Sequence, residues 1–487
     1  MTSRDASAQR SSRKRVLIGV ALGMGIAVAI GGAFSAGLWT GNNSVSVTAP
    51  DVIQSEPVTQ MASAQRPTPS ATVAPRRIPT CTVANYAVDE DLASFSGIVI
   101  DPVTGDVRFS RSADSALAPA SVQKIITAAA ALETLGPETT FSTTVLATED
   151  PEVVVLVGGG DATVSARAED AASVYEGSPR IADLARLTIE ALVDPNEEDA
   201  TVKISKVIVD AGLWDSEDSW VESWSRSATS NGFISHVTAL QVDGDRQNPN
   251  DPLSRRSQDP VGKAASAFVA ALRQAGNTAR YVTISYEQPQ STGAAVASVE
   301  SRPVSELVTY MLKESDNTLA EMLARQVSLA SGLGGTSASV GEALTGALAP
   351  YGLSPELVSF QDGSGLSALN SVSPEYVADL LVEIYRSSTD LSFIAQALPV
   401  AGVDGSLDNR FFGDNAIAQS EVRAKTGSIN GVRSLAGFIT GADGADLVFA
   451  FFGFSHPCRA RQRAILAVRG SVLTGGRLAA TSTSDAK

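Results

Sequence analysis

The sequence predicts an α/β (α+β) fold in which one sheet-and-helix domain is assembled from both halves of the chain and carries a large insertion. Three observations lead there. Hairpin signatures stand near both ends of the folded part: 95–100 and 107–110 flank Asp101-Pro102-Val103-Thr104-Gly105, and 434–440 and 447–452 flank Gly441-Ala442-Asp443-Gly444. β-Branched and aromatic runs around turn residues read as paired strands. Helix-like apolar runs lie between them at 121–135, 303–313 and 318–330, and such faces need a sheet or other helices to cover them. Finally, 142–260 breaks this pattern with short strand-like runs (153–157 and 202–209, with 281–285 just beyond), acidic loops, and three of the four tryptophans, Trp214, Trp220 and Trp224. We read 142–260 as an inserted, mostly β region and its tryptophans as core or domain-interface residues.

Taken in order, the 487 residues begin with a basic leader, 1–15, bearing Arg10, Arg13, Lys14 and Arg15. Positions 16–39 contain no charged residue. That length spans a bilayer as a helix, with the basic flank on the cytoplasmic side. It exceeds a usual signal-peptide core, so a retained single-pass anchor is expected; cleavage after the small residues Gly31, Ala33 or Ser35 is the alternative and would release a secreted protein. Residues 40–80, rich in Ser, Thr, Ala and Gln with Pro67, Pro69, Pro75 and Pro79, bury too little apolar surface to fold and read as a tether. The main domain is expected over 81–141 and 261–478, closed by a helix over 459–468, with a short disordered tail at 479–487.

Composition excludes some functions. The formal net charge is −16 and no basic cluster lies beyond the leader, so a nucleic-acid partner is not expected. There is no Cys-x-x-Cys and no His-x-x-x-His, hence no expected metal site, and nothing calls for a cofactor. Gly158-Gly159-Gly160-Asp161 lacks the Gly-Lys-Ser/Thr of a phosphate loop and reads as a turn after a strand. Cys81 and Cys458, the only cysteines, stand at the two ends of the folded part and are expected to pair outside the cytoplasm.

The chemistry starts at Ser121-Val122-Gln123-Lys124. In a helix, positions three apart share a face, so the lysine amine lies beside the serine hydroxyl. A serine hydroxyl needs an adjacent base. A lysine set among Ile125, Ile126 and Ala129 has its pKa lowered toward that role. Only His236 and His456 are available for a Ser-His-Asp arrangement. By itself the pattern is weak, since Ser11-Ser12-Arg13-Lys14 also matches. Two further motifs sharpen it. Ser315-Asp316-Asn317 interrupts two helical patterns, and Lys425-Thr426-Gly427 stands just before a strand-like run. The bare Ser-x-Asn pattern recurs at Ser428-Ile429-Asn430, but the order of the three motifs along one chain is specific.

With these motifs, and with Asp362-Gly363-Ser364-Gly365-Leu366-Ser367 and Leu398-Pro399-Val400-Ala401-Gly402-Val403-Asp404-Gly405, the chain resembles the D-alanyl-D-alanine carboxypeptidase/endopeptidase family of class C low-molecular-mass penicillin-binding proteins, serine peptidases related to β-lactamases. The resemblance covers about 84–475 and leaves out anchor and tether. The 194 positions separating Ser121 from Ser315 fit a family with inserted domains better than a compact β-lactamase. It implies a β-lactamase/transpeptidase-like domain that cleaves peptidoglycan stem peptides ending in D-Ala-D-Ala, and β-lactams as inhibitors. In that scheme Ser121 is acylated, Lys124 takes its proton, Ser315 relays a proton to the leaving amine, and Asn317 positions Lys124 and meets the substrate amide. Lys425 and Thr426 hold the terminal carboxylate, Gly427 lets the strand approach the substrate, and the N–H groups of Ser121 and Ser428 form the oxyanion hole. Many relatives have Thr where this chain has Ser428; a backbone donor tolerates either. Asp316 and Glu321 are expected to be structural, and 362–365 a tight turn near the site. A β-lactamase, and a catalytically idle cell-wall scaffold with the same fold, remain the alternatives.

Overall fold

The computed structural model describes residues 94–454, except 169–170, 198–199, 216, 288–292 and 442. The leader, the 16–39 run, the tether, Cys81, Cys458, the helix expected over 459–468 and the tail lie outside the described residues. Among the described residues no helix is long and apolar enough to cross a membrane.

The first hairpin joins β1 (Ser94–Ile100) to β2 (Val107–Arg111). Its turn is held by Asp101, whose Oδ1 accepts from the N–H groups of Val103 at 3.1 Å and Thr104 at 3.2 Å. A single 3₁₀ turn, Ala120–Gln123, then leads into α1 (Lys124–Leu135). The next stretch contains β3 (Ser142–Ala147), β4 (Val153–Gly158), α2 (Ile181–Leu192) and β5 (Lys206–Asp210). It continues through α3 (Pro260–Gln274), β6 (Thr283–Ser285) and β7 (Ala295–Glu300). Helices α4 (Val304–Glu314), α5 (Asn317–Ala330) and α6 (Val340–Leu348) follow, then the two-residue strands β8 (Val358–Ser359) and β9 (Ser371–Val372). Helices α7 (Pro374–Arg386) and α8 (Phe393–Ala397) precede β10 (Val422–Ile429), β11 (Val432–Thr440) and β12 (Asp446–Phe454).

The two hairpins meet in one antiparallel sheet of order β10-β11-β12-β1-β2. Ile98 pairs with Ala450 across β1 and β12, so strands from both ends of the described chain sit side by side. Side chains alternate between its faces. Ile98, Ile100, Phe438 and Phe452 join the helical core, whereas Val99, Leu435, Phe449 and Phe451 pack under the 401–424 segment. Helix α1 is buried from Lys124 to Leu132 and is covered by α4, α5 and α6. A helix that is apolar on all sides belongs in a core.

The second sheet, of order β6-β5-β4-β3-β7, departs from the expected insertion in two ways. It runs on to Glu300, past residue 260, because β7 pairs antiparallel with β3. It is also α/β rather than mostly β, because β4–β5 and β5–β6 are parallel pairs. Parallel neighbours need a crossover connection, and α2 and α3 supply the two crossovers. Trp214 and Trp224 are buried in the helical core with Trp220 packed against it, the core alternative of the two expected of them.

Candidate active site

The 3₁₀ turn before α1 packs on the face of β10 and β11 at one end of the first sheet. Ser434 Oγ donates to the Pro119 carbonyl. A Cβ at Gly427 would lie 2.0 Å from Ser434 Oγ, 2.7 Å from Pro119 O and 3.1 Å from Ala120 Cβ. Gly427 therefore serves strand-to-turn packing beneath the serine. Strand alternation turns Thr426 and Ser428 the other way, into the cleft. Ala424 N–H points off the β10 edge to the Pro399 carbonyl at 2.9 Å. The same period of two puts the N–H of Ser428 on that edge, beside Ser121.

Ala120 and Ser315, both non-glycine, have φ of +49° and +60°. Such left-handed residues cost about 1–3 kcal/mol each and gather at functional sites. Here they aim Ser121 and Ser315 at a common cleft of about 210 Å³, lined also by Phe233, Asn317, Thr426 and Ser428.

Three acceptors surround the Lys124 amine, which is fully buried. Nζ lies 3.1 Å from Ser121 Oγ, 2.6 Å from Asn317 Oδ1 and 2.6 Å from the Ser364 carbonyl. Burial lowers its pKa to about 8, partly opposed by the carboxylates of Asp362, Glu321 and Asp316. Asn317 Nδ2 donates to the Phe233 carbonyl at 3.0 Å, so a loop outside the main sheet helps to hold the amide. Across the cleft Lys425, also fully buried, donates to Ser315 Oγ at 2.8 Å and to the Thr426 carbonyl at 3.0 Å. Thr426 Oγ1 donates to Ser406 Oγ at 2.9 Å, which ties β10 to the residue that follows the 398–405 motif. Ser121, Ser315, Asn317, Thr426 and Ser428 thus line one cleft, with Lys124 and Lys425 buried behind it and Gly427 turned toward the 3₁₀ turn. No cluster of metal-ligating side chains occurs among the described residues.

Sequence reasoning missed the support beneath this cleft. Asp362, read only as part of a turn, accepts from the N–H groups of Gly365 at 2.8 Å and Ser367 at 2.7 Å, and from Trp224 Nε1 at 2.8 Å. Gly365, with φ +79°, comes so near Ala120 that a Cβ would meet its carbonyl at 2.0 Å. Asp316 caps α5 through Leu319 N–H at 3.0 Å and pairs with Arg246 at 2.6 Å, each side chain 2% exposed. That structural role is the expected one. Glu321 is buried one turn beyond Asn317 on the same helix. An acidic residue four positions after a site residue, on the same helix face, was the available signal.

Comparison with known proteins agrees with this geometry. The D-Ala-D-Ala carboxypeptidase 3 (S13) family matches residues 80–250 and 245–466. Carboxypeptidase DacB of Mycolicibacterium smegmatis is 32% identical over 452 residues, covering 91% of this chain and 94% of the relative. The D-alanyl-D-alanine carboxypeptidase of an Actinomadura species is 30% identical over 425 residues, covering 74% of this chain and 77% of the relative. Penicillin binding protein 4 (dacB) from Haemophilus influenzae superposes with a TM-score of 0.65 over 80% of this chain and 98% of that one, at 21% identity, which speaks for a shared mixed α/β fold. Sequence family, fold and the order of the three motifs converge: this chain belongs to the D-Ala-D-Ala carboxypeptidase 3 (S13) family.

Proposed function

We propose that this chain is a serine D-Ala-D-Ala carboxypeptidase of cell-wall remodelling, with endopeptidase cleavage of cross-linked stem peptides open to the same site. The observation that carries the reading is the Lys124 amine 3.1 Å from Ser121 Oγ, at a cleft that also presents Ser315, whose hydroxyl accepts from the buried Lys425 at 2.8 Å. The Ser121 hydroxyl proton passes to Lys124 Nζ as Oγ bonds to the carbonyl carbon of the penultimate D-Ala. The N–H groups of Ser121 and Ser428 receive the oxyanion, a large source of stabilisation in acyl transfer. Collapse breaks the C–N bond, and the leaving amine takes a proton by way of Ser315. Lys425 and Thr426 hold the carboxylate of the departing D-Ala by charge-assisted hydrogen bonds. Water then attacks the acyl carbonyl and returns Ser121 to its free form. A β-lactam follows the same first step, but its amine stays attached and the acyl-enzyme persists.

Intact-mass spectrometry before and after benzylpenicillin tests this, with Ser121→Ala alongside. A lasting adduct on Ser121 that the variant lacks is the expected result. Rapid loss of penicillin with no adduct would make the protein a β-lactamase, and intact penicillin with no adduct would leave the scaffold reading.

The uncharged run at 16–39, behind a basic leader, supports attachment to a cell membrane with the catalytic part outside the cytoplasm. In that compartment Cys81 and Cys458 form a disulfide. Membrane-extracted protein is expected to retain residues 16–39 and to resist alkylation until reduced. A chain beginning near Ala36 would make it secreted, and two alkylated thiols without reductant would remove the disulfide.

A further inference from the structure

A neutral lysine amine has two N–H bonds and one lone pair, so three neighbours decide where the lone pair points. Around Lys124 Nζ, Asn317 Oδ1 and the Ser364 carbonyl, both at 2.6 Å, are acceptors only. They take the two N–H bonds, and the lone pair is left to Ser121 Oγ. If the Ser364 carbonyl turned away, the amine could rotate and give an N–H to the serine instead. That carbonyl shares a peptide plane with Gly365 N–H, which Asp362 Oδ1 holds at 2.8 Å, and the two peptides leading into it are held by Glu321. Its Oε1 accepts from Ser364 N–H at 2.8 Å and from Gly363 N–H at 3.1 Å, and Oε2 accepts from Gly363 N–H at 3.0 Å. Thr127 Oγ1, on α1, fastens the adjoining Gly363 carbonyl at 2.5 Å. A carboxylate meets these donors with both oxygens; an amide keeps one oxygen for them and sets an N–H where Oε2 now accepts from Gly363. Glu321 is 2% exposed; burial and the nearby Asp362 outweigh these bonds and raise its pKa to about 7, so it acts as the carboxylate above that pH.

We propose that Glu321 is a positioning residue for acylation: its carboxylate holds the 362–365 turn so that the Ser364 carbonyl occupies one N–H of Lys124 and the lone pair faces Ser121. This rests on Ser121 being the acylated serine. The charged groups around the pair are Asp362 and Arg325 beside Glu321, and Asp362 and Asp316 beside Lys124. All of them stay in place in the test.

The test is the pH profile of penicillin acylation, from about pH 6 to about pH 10, for wild type, Glu321→Gln and Glu321→Asp. Glu321→Gln is expected to react fully but with a plateau rate about 10- to 100-fold lower, the usual consequence of a misaligned reacting group. Its acid limb moves to lower pH, because a carboxylate that favours the charged form of Lys124 is gone. Glu321→Asp keeps the charge but draws the carboxylate back by one methylene, so its plateau falls while the limb stays. It also decides the matter if the glutamine variant does not fold. An unchanged plateau with a shifted limb would reduce Glu321 to an electrostatic influence and overturn the proposal. A smaller reactive fraction at the wild-type rate would reduce it to a folding role and overturn the proposal equally. Wild-type protein that takes no adduct on Ser121 would overturn the parent reading, and this one with it. Full wild-type acylation with both variants at wild-type plateaus overturns this one alone.

Discussion

Replacing Lys124 by methionine is expected to slow acylation of Ser121 by about 10²- to 10⁴-fold, the range contributed by a well-placed general base. Methionine fills a similar volume in the buried site, so the fold is expected to persist. Its cost is the two orphaned acceptors, Asn317 Oδ1 and the Ser364 carbonyl, at about 1–3 kcal/mol apiece. In the wild type the rate should depend on pH in a definite direction. Burial lowers the Lys124 pKa from 10.5 to about 8, and only the unprotonated amine accepts the serine proton. Acylation therefore rises as pH increases through about 8 and levels off above it. The methionine variant has no such limb. Stopped-flow acylation with a chromogenic β-lactam checks both statements. A flat wild-type profile, or near-wild-type rates for the variant, would remove Lys124 as the base.

Arg246→Met is expected to destabilise the protein by about 3–5 kcal/mol, since it strands a buried carboxylate. Burial alone would raise the pKa of Asp316. The guanidinium groups of Arg246 and Arg256 and the N–H of Leu319 outweigh that and hold it well below the usual carboxylate range. The sign of the linkage follows. The contribution of this pair is fully present above the ordinary carboxylate pKa near 3.8 and is lost only as pH falls through the depressed folded-state value. In the variant, Asp316 keeps Leu319 N–H at 3.0 Å and Tyr175 OH at 2.8 Å but no direct cation partner. Because Asp316 stands between Ser315 and Asn317, loosening it also moves two cleft residues. Urea unfolding of Arg246→Met, Asp316→Asn and the double variant at neutral pH measures the coupling. The double variant should be less damaged than the sum of the two single ones. Strict additivity, or a loss below about 1 kcal/mol for Arg246→Met, would show that the pair carries little.

Much of this architecture was legible in the chain. The strands at 95–100, 107–110, 434–440 and 447–452 alternate or run apolar around strong turn residues, and each is a strand in the structure to within a few positions. The helices around Ser315 follow from their apolar periodicity and from Asp316 as a cap. The insertion was legible as a change of texture, but its far boundary was not. Helix α3 has an amphipathic pattern that suits either sheet, and the pairings of β6 with β5 and of β7 with β3 assign 260–300 to the second one.

The serine–lysine pair was likewise visible, because helical spacing is a local property. A 3₁₀ turn over Ala120–Gln123 replaces the first turn of the expected helix without separating the two side chains. What the sequence by itself determined, then, is the set of chemical groups, their order along the chain, and the local periods that place each on a strand, turn or helix face. The tertiary structure decided which distant backbone groups meet them. Nothing local to Glu321 shows that it receives the N–H groups of Gly363 and Ser364, nor does anything near Gly427 show Pro119 and Ala120 packed above it. Hydrogen bonds and close packing depend on positions settled to within a few tenths of an ångström, and those positions exist only once the whole chain has folded around them.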